Sequence, residues 1–121
     1  MSDILNHTEG GVCTLTFNRL DKKNSITAAM YATLAEALRQ AQTDDAVRCV
    51  VFQGHETVFS AGNDIADFLN HPPSEPSAPV FLFLRALAEF PTPLLAAVCG
   101  PAVGIGTTML MHCDLVYAGD N

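Results

Sequence analysis

From Leu94 to Cys113 the chain reads LLAAVCGPAVGIGTTMLMHC, and no other run narrows the possible folds as much. Five apolar residues, Leu94 to Val98, predict a buried strand. Gly100-Pro101 ends it in a tight turn. Gly104 and Gly106 flank Ile105, and the apolar stretch that follows, to about His112, predicts a helix. The first N–H groups of such a helix have no partner inside it, and its aligned peptide dipoles add partial positive charge. Glycines on either side let another molecule approach the backbone closely. A loop of this kind suits an oxygen that carries, or is gaining, negative charge.

The rest of the chain alternates between two periods. Glu9-Gly10-Gly11 is a turn between a short N-terminal strand and Val12–Asn18, where Cys13, Leu15 and Phe17 alternate with Thr14 and Thr16. Arg19–Asn24 is polar and reads as a loop. From Thr27 to Gln42, Met30, Leu34, Leu38 and Ala41 fall on one helical face, and Ser25 or Thr27 can cap its start. Val47–Gln53 reads as a largely apolar strand, and a helix between two such strands favours a parallel pair. Gly54–Gly62 is a loop, Asn63–Asn70 a short helix and His71–Pro79 a proline-rich loop within the domain. Val80–Phe90 is helical until Pro91 and Pro93. Asp114–Ala118 closes the series as a strand. Strand, helix, strand in succession predicts an α/β fold in one domain of 121 residues.

Charge and cysteine usage exclude several functions. The net charge of −7 disfavours nucleic acid, whose phosphates need a basic patch. Arg19, Lys22 and Lys23 form one local basic spot, which composition alone reads as a solvated turn. Cys13, Cys49, Cys99 and Cys113 lie in or beside apolar runs without CxxC spacing. They are expected to be buried, reduced thiols of a cytoplasmic protein. The four histidines show no metal-ligand spacing, so no metal is expected. The N-terminal MSDILNHTEG lacks the regions of a secretory signal. Glu89, prolines and glycines break the one long apolar region, Ala86–Leu115, so no membrane span is expected. Gly104-x-Gly106 has Met109 where a dinucleotide fingerprint needs a third glycine.

Two stretches share a design: Phe59-Ser60-Ala61-Gly62-Asn63-Asp64 and Gly104-Ile105-Gly106-Thr107-Thr108. Each is a glycine loop between a strand and an expected helix. Either alone can be an ordinary turn. Facing each other, they would supply two backbone N–H donors to one oxygen, the arrangement of an oxyanion hole.

The runs FNRLDKKNSIT, FSAGNDIADF and VCGPAVGIGTTMLMHCDLVYA, in that order, resemble the crotonase family, the enoyl-CoA hydratase/isomerase superfamily. The resemblance implies a ββα spiral, with residues 1–121 as its N-terminal portion, since family members run longer. It implies a substrate that is an acyl-CoA thioester, coenzyme A entering as part of the substrate, no separate cofactor, and homo-oligomers built from trimers. It makes the backbone N–H groups of Asn63 and Ile105 the oxyanion donors, flanked by Gly62 and Gly104. Lys22, Lys23 and Asn24 become candidates for phosphate or pantetheine contacts. Ser60, Ala61, Asp64 and Ile65 would line the bend between adenine and pantetheine, with Asp64 also suited to cap a helix.

Departures from the family pattern refine this. Family hydratases carry a glutamate three residues after the second donor, where this chain has Thr108, a hydroxyl that is no base near neutral pH. The loop and helix sequences are more similar to the Δ3,Δ2-enoyl-CoA isomerase branch. There a single carboxylate shuttles a proton, and it is expected beyond Asn121. Leu20 stands where the family usually has proline. The resemblance therefore implies double-bond isomerisation. A hydratase and a non-catalytic acyl-CoA-binding or structural fragment remain as alternatives.

Overall fold

The computed structural model describes residues 2–104 and 109–119. Its backbone is a five-stranded sheet in sequential order, β1 (Ile4–Glu9), β2 (Val12–Phe17), β3 (Cys49–Gln53), β4 (Leu94–Val98) and β5 (Leu115–Ala118). The Gly10-Gly11 turn folds β1 antiparallel onto β2, with Ile4 opposite Phe17. The remaining pairs are parallel, as the apolar strands and intervening helices predict. In this register Cys13, Val50 and Leu94 lie side by side, and so do Leu15, Phe52 and Ala96. All six are buried, because a period of two directs them to one face.

Two helices cover that face. Helix α1 (Ala28–Thr43) begins where Thr27 Oγ1 accepts from Met30 N–H at 3.2 Å, the cap the sequence suggests. Met30, Leu34, Leu38 and Ala41 are buried on its inner side together with Tyr31 and Ala37. Helix α3 (Pro79–Glu89) opens on a proline, whose fixed φ suits a first turn. Its Phe83 is fully buried between Tyr31, 5.7 Å away by ring centroids, and Phe52, 6.3 Å away edge-on. Burying one such ring contributes about 2–3 kcal/mol. The short α2 (Ile65–Asn70) buries none of its residues.

Boundaries move by a residue or two where polar bonds intervene. β3 starts at Cys49 rather than Val47, because Val47 N–H turns back to Asp44 O. α2 starts at Ile65 rather than Asn63, because the Asp64 carboxylate caps it by accepting from Asp67 N–H. The helix predicted after the second glycine loop is, over its described part, a 3-10 turn at Met109–His112. Met109 anchors it, fully buried, Leu110 packs partly buried against the core, and Met111 is 84% exposed. Asp114 then ends the turn, its N–H donating to Leu94 O and its carboxylate accepting from Leu94 N–H, each at 2.7 Å.

All four cysteines are unpaired, and burial pushes the Cys13 and Cys113 thiols up, that of Cys113 to about 11. Among the described residues no helix is long and apolar enough to cross a membrane, and no three His, Cys, Asp or Glu side chains converge as metal ligands would.

Candidate functional site

The two glycine loops lie against each other. Ser60 and Ala102 form a parallel bridge. The N–H groups of Phe59 and Ser60 both donate to Pro101 O, at 3.0 and 3.3 Å, and Val103 N–H donates to Ser60 O at 3.0 Å. Gly62 has φ +92°, and a Cβ there would sit 2.9 Å from Val103 O and 3.8 Å from Gly104 Cα. Only glycine permits this approach without displacing the second loop.

The N–H groups of the first loop follow a pattern that chemistry can use. Ala61 N–H donates to Lys23 O at 3.1 Å, Gly62 N–H to Ser60 Oγ at 3.1 Å, and Asp64 N–H to Ile26 O at 3.0 Å. Among residues 59–64, only the Asn63 N–H meets no acceptor among the described residues. Its peptide is held on both sides, since Ile26 N–H donates to Gly62 O at 2.8 Å and Ile26 bridges Asn63. A backbone donor held in this way, with no acceptor among the described residues and beside a second glycine loop, suits a carbonyl oxygen that gains negative charge.

A buried polar network keeps the loop in this shape. Asn24 is fully buried with φ +56°, next to Lys23 at φ +55°. Left-handed conformations at two successive non-glycine residues cost about 1–2 kcal/mol each. Asn24 offsets this with its amide: Oδ1 accepts from Arg19 N–H at 2.7 Å, and Nδ2 donates to Phe59 O at 3.2 Å and Val58 O at 3.4 Å. Ser60, also fully buried, donates its hydroxyl to Asn24 O at 3.0 Å. Arg19 Nη1 donates to Ser25 O, Ser25 Oγ and, at 2.7 Å, Asp64 Oδ2. The Asp67 N–H, and then Arg19, hold the Asp64 carboxyl below the usual carboxylate range.

Two cavities open on either side of this loop. One of about 520 Å³ is walled by Leu20, Val58, Pro101 and Val103, with Lys23, His55 and Ala61. His55 Nδ1 lies 2.8 Å from Thr57 Oγ1 and 3.1 Å from Thr57 N, which holds the ring on the cavity wall. The other, of about 290 Å³, is walled mainly by apolar groups from Ile26, Phe68, Pro79 and Val80, with Tyr31, Asn63, Asp67 and His71 as polar members. Ala61 belongs to the first and Asn63 to the second, with Gly62 between them.

The site residues named from sequence are distributed unevenly around this geometry. Asn63, Gly62, Ala61 and Gly104 come together at the junction of the loops. Asn63 is not in a helix, however, but precedes the α2 cap by one residue. Lys22 and Lys23 are exposed, whereas Asn24 and Ser60 face inward and bond the loop's own backbone. Asp64 is committed to its cap and to Arg19. Ile65 is 73% exposed on α2. Ile105 and Thr108 lie outside the described residues. Three participants were not legible from sequence. Arg19 looked like part of a solvated basic spot but points inward. Tyr31 falls outside the helical face the sequence marks, and its hydroxyl donates to Asn63 Oδ1. His55 carried no signal at all.

With this geometry in view, the chain can be compared with known proteins. A family model described as enoyl-CoA hydratase/isomerase matches residues 7–121. The chain is 42% identical over 123 residues to enoyl-CoA delta isomerase 2 of Rattus norvegicus, an alignment covering 97% of this chain and 31% of that protein. It is 39% identical over 126 residues to 1,2-epoxyphenylacetyl-CoA isomerase of Escherichia coli K12, covering 98% of this chain and 48% of that protein. The solved structure of Pseudomonas aeruginosa OdaA superposes with a TM-score of 0.96 at 55% identity, covering 100% of this chain and 49% of that one. The chain thus spans half or less of the length of these relatives.

Proposed function

Because the chain belongs to the enoyl-CoA hydratase/isomerase family, we propose that its paired glycine loops hold the carbonyl of an acyl-CoA thioester and stabilise the enolate formed from it. The observation that carries this reading is the Asn63 N–H, whose peptide Ile26 holds and which meets no acceptor among the described residues, on the loop that separates the two cavities. In this reading a long, bent ligand crosses the loop. Its charged and heteroaromatic portion suits the cavity with Lys23 and His55, its acyl group suits the apolar cavity beside Ile26 and Val80, and its thioester falls at Gly62–Asn63.

Asn63 supplies one donor in this scheme and Ile105 the second. When a base removes a proton from C2, the electron pair moves onto the thioester oxygen, and the two N–H groups bind the resulting negative charge. Donors fixed in advance need no reorganisation as charge develops, and losing one costs about 3–4 kcal/mol in related acyl chemistry. Return of the proton at C4 moves the double bond from the 3,4 to the 2,3 position. Isomerisation is favoured over hydration by Thr108 in place of the first hydratase glutamate, and by relatives named as isomerases.

A second reading has its own observation. Asp67 is the one carboxylate among the described residues lining the acyl-side cavity, and it accepts from Ala28 N–H at 2.7 Å. With this carboxylate tied to α1 and paired with His71 at 3.4 Å, the described part of the cavity suits binding without turnover. Calorimetry with an acyl-CoA, followed by assays with 3-enoyl-CoA and 2-enoyl-CoA, separates the possibilities. Binding with conversion of the 3-enoyl substrate is expected for an isomerase. Binding alone supports the second reading, hydration of only the 2-enoyl substrate contradicts isomerisation, and absence of binding contradicts both.

A further inference from the structure

Asn63 meets the acyl-side cavity with more than its backbone. Its side-chain carboxamide is exposed on the cavity wall, and Oδ1 accepts a hydrogen bond from the Tyr31 hydroxyl. Tyr31 is 4% exposed, its ring is clamped against Phe83, and burial raises its pKa, so the hydroxyl stays protonated and donating. A planar carboxamide anchored through its oxygen has its nitrogen oriented as a consequence. Asn63 Nδ2 has no acceptor among the described residues, so its two protons are open to a ligand acceptor on the same residue whose backbone N–H is proposed for the thioester.

We propose that Asn63 reads the acyl group as well as the thioester. In the proposed acyl-CoA complex its backbone N–H binds the thioester oxygen, and Nδ2 donates to an oxygen acceptor carried on the acyl chain close to C3. Tyr31 is the positioning residue that holds the carboxamide in this orientation. The ligand class selected is therefore oxygen-bearing acyl thioesters over plain alkanoyl thioesters. The inference rests on the acyl-CoA reading above and goes beyond it, because the family's oxyanion donors require no particular side chain at this position.

Calorimetry with butyryl-CoA and acetoacetyl-CoA, which differ by one carbonyl oxygen at C3, tests it. The unaltered chain is expected to bind acetoacetyl-CoA about tenfold more tightly, the effect of about one hydrogen bond. Asn63→Ala keeps the backbone N–H. It should lose the preference, acetoacetyl-CoA then binding no more tightly than butyryl-CoA does to the same variant. Tyr31→Phe keeps the ring packing and should lose at least part of the preference, which a merely structural role would leave intact. Equal affinity of the unaltered chain for the two ligands, or a preference that survives Asn63→Ala, overturns the proposal while leaving the acyl-CoA reading in place. Failure to bind either ligand overturns that reading too.

Discussion

Arg19 Nη1 and Asp64 Oδ2 meet at 2.7 Å, although 45 positions separate the two residues in the chain. Through this contact the turn before α1 is fastened to the residue that caps α2, and Asn63 lies immediately before the fastening point. The candidate site is therefore held from outside the loop that forms it.

The pair makes stability depend on acid. The folded-state pKa of Asp64 is depressed, so its contribution is present above the unfolded carboxylate value of about 3.9 and is lost as pH falls through the folded value. Asp64→Asn is expected to melt below the unaltered chain at pH 7, and the gap should narrow below about pH 4. Thermal melts across that range check it. A gap that stays constant down to the lowest pH would contradict the assignment.

Asn24 should be among the least replaceable polar residues. Asn24→Ala leaves Arg19 N–H and the carbonyls of Val58 and Phe59 without their side-chain partner, at a cost of about 2–4 kcal/mol. Asn24→Gly loses the same bonds but accepts the left-handed backbone, so it should be milder by about 1 kcal/mol. Urea unfolding of the two variants separates hydrogen bonding from backbone strain.

At Gly62 the constraint is steric. Gly62→Ala would place Cβ 2.9 Å from Val103 O at a φ of +92°, forcing the two loops apart. The expected loss is about 1–3 kcal/mol of stability, with acyl-CoA affinity falling further than that of Asn63→Ala. Calorimetry and urea unfolding on both variants test this order.

Lys23 is the exposed cation on the wall of the larger cavity. If it meets a phosphate of coenzyme A, Lys23→Ala should weaken acyl-CoA binding about tenfold at low salt. The difference should shrink as the screening length falls from about 10 Å at 0.1 M to about 3 Å at 1 M ionic strength. Titrations at both ionic strengths decide it.

The parts of this architecture that the sequence discloses are those with local causes. Alternation at Cys13, Leu15 and Phe17, the α1 face through Met30, Leu34 and Leu38, the Thr27 cap and the Asp64 cap all arise within a few residues of themselves. The family resemblance, carried by the two glycine loops, led to the same junction that Ser60 and Val103 hold closed. What stayed hidden depends on distant partners. Arg19 turns inward because Asp64 and Ser25 wait for it. Tyr31 acts as a polar residue only because the fold brings Asn63 to its hydroxyl. Asn24 reads as a turn residue until Val58 and Phe59 surround it.

The central claim is that the Asn63 amide binds a thioester oxygen. Amide NMR of the 15N-labelled chain, titrated with butyryl-CoA and separately with coenzyme A lacking the acyl group, addresses it most directly. The expected result is a downfield shift of the Asn63 N–H, together with that of Ile105, caused by the thioester and absent with the thiol. Saturable binding of butyryl-CoA that leaves both amides where they were would contradict it.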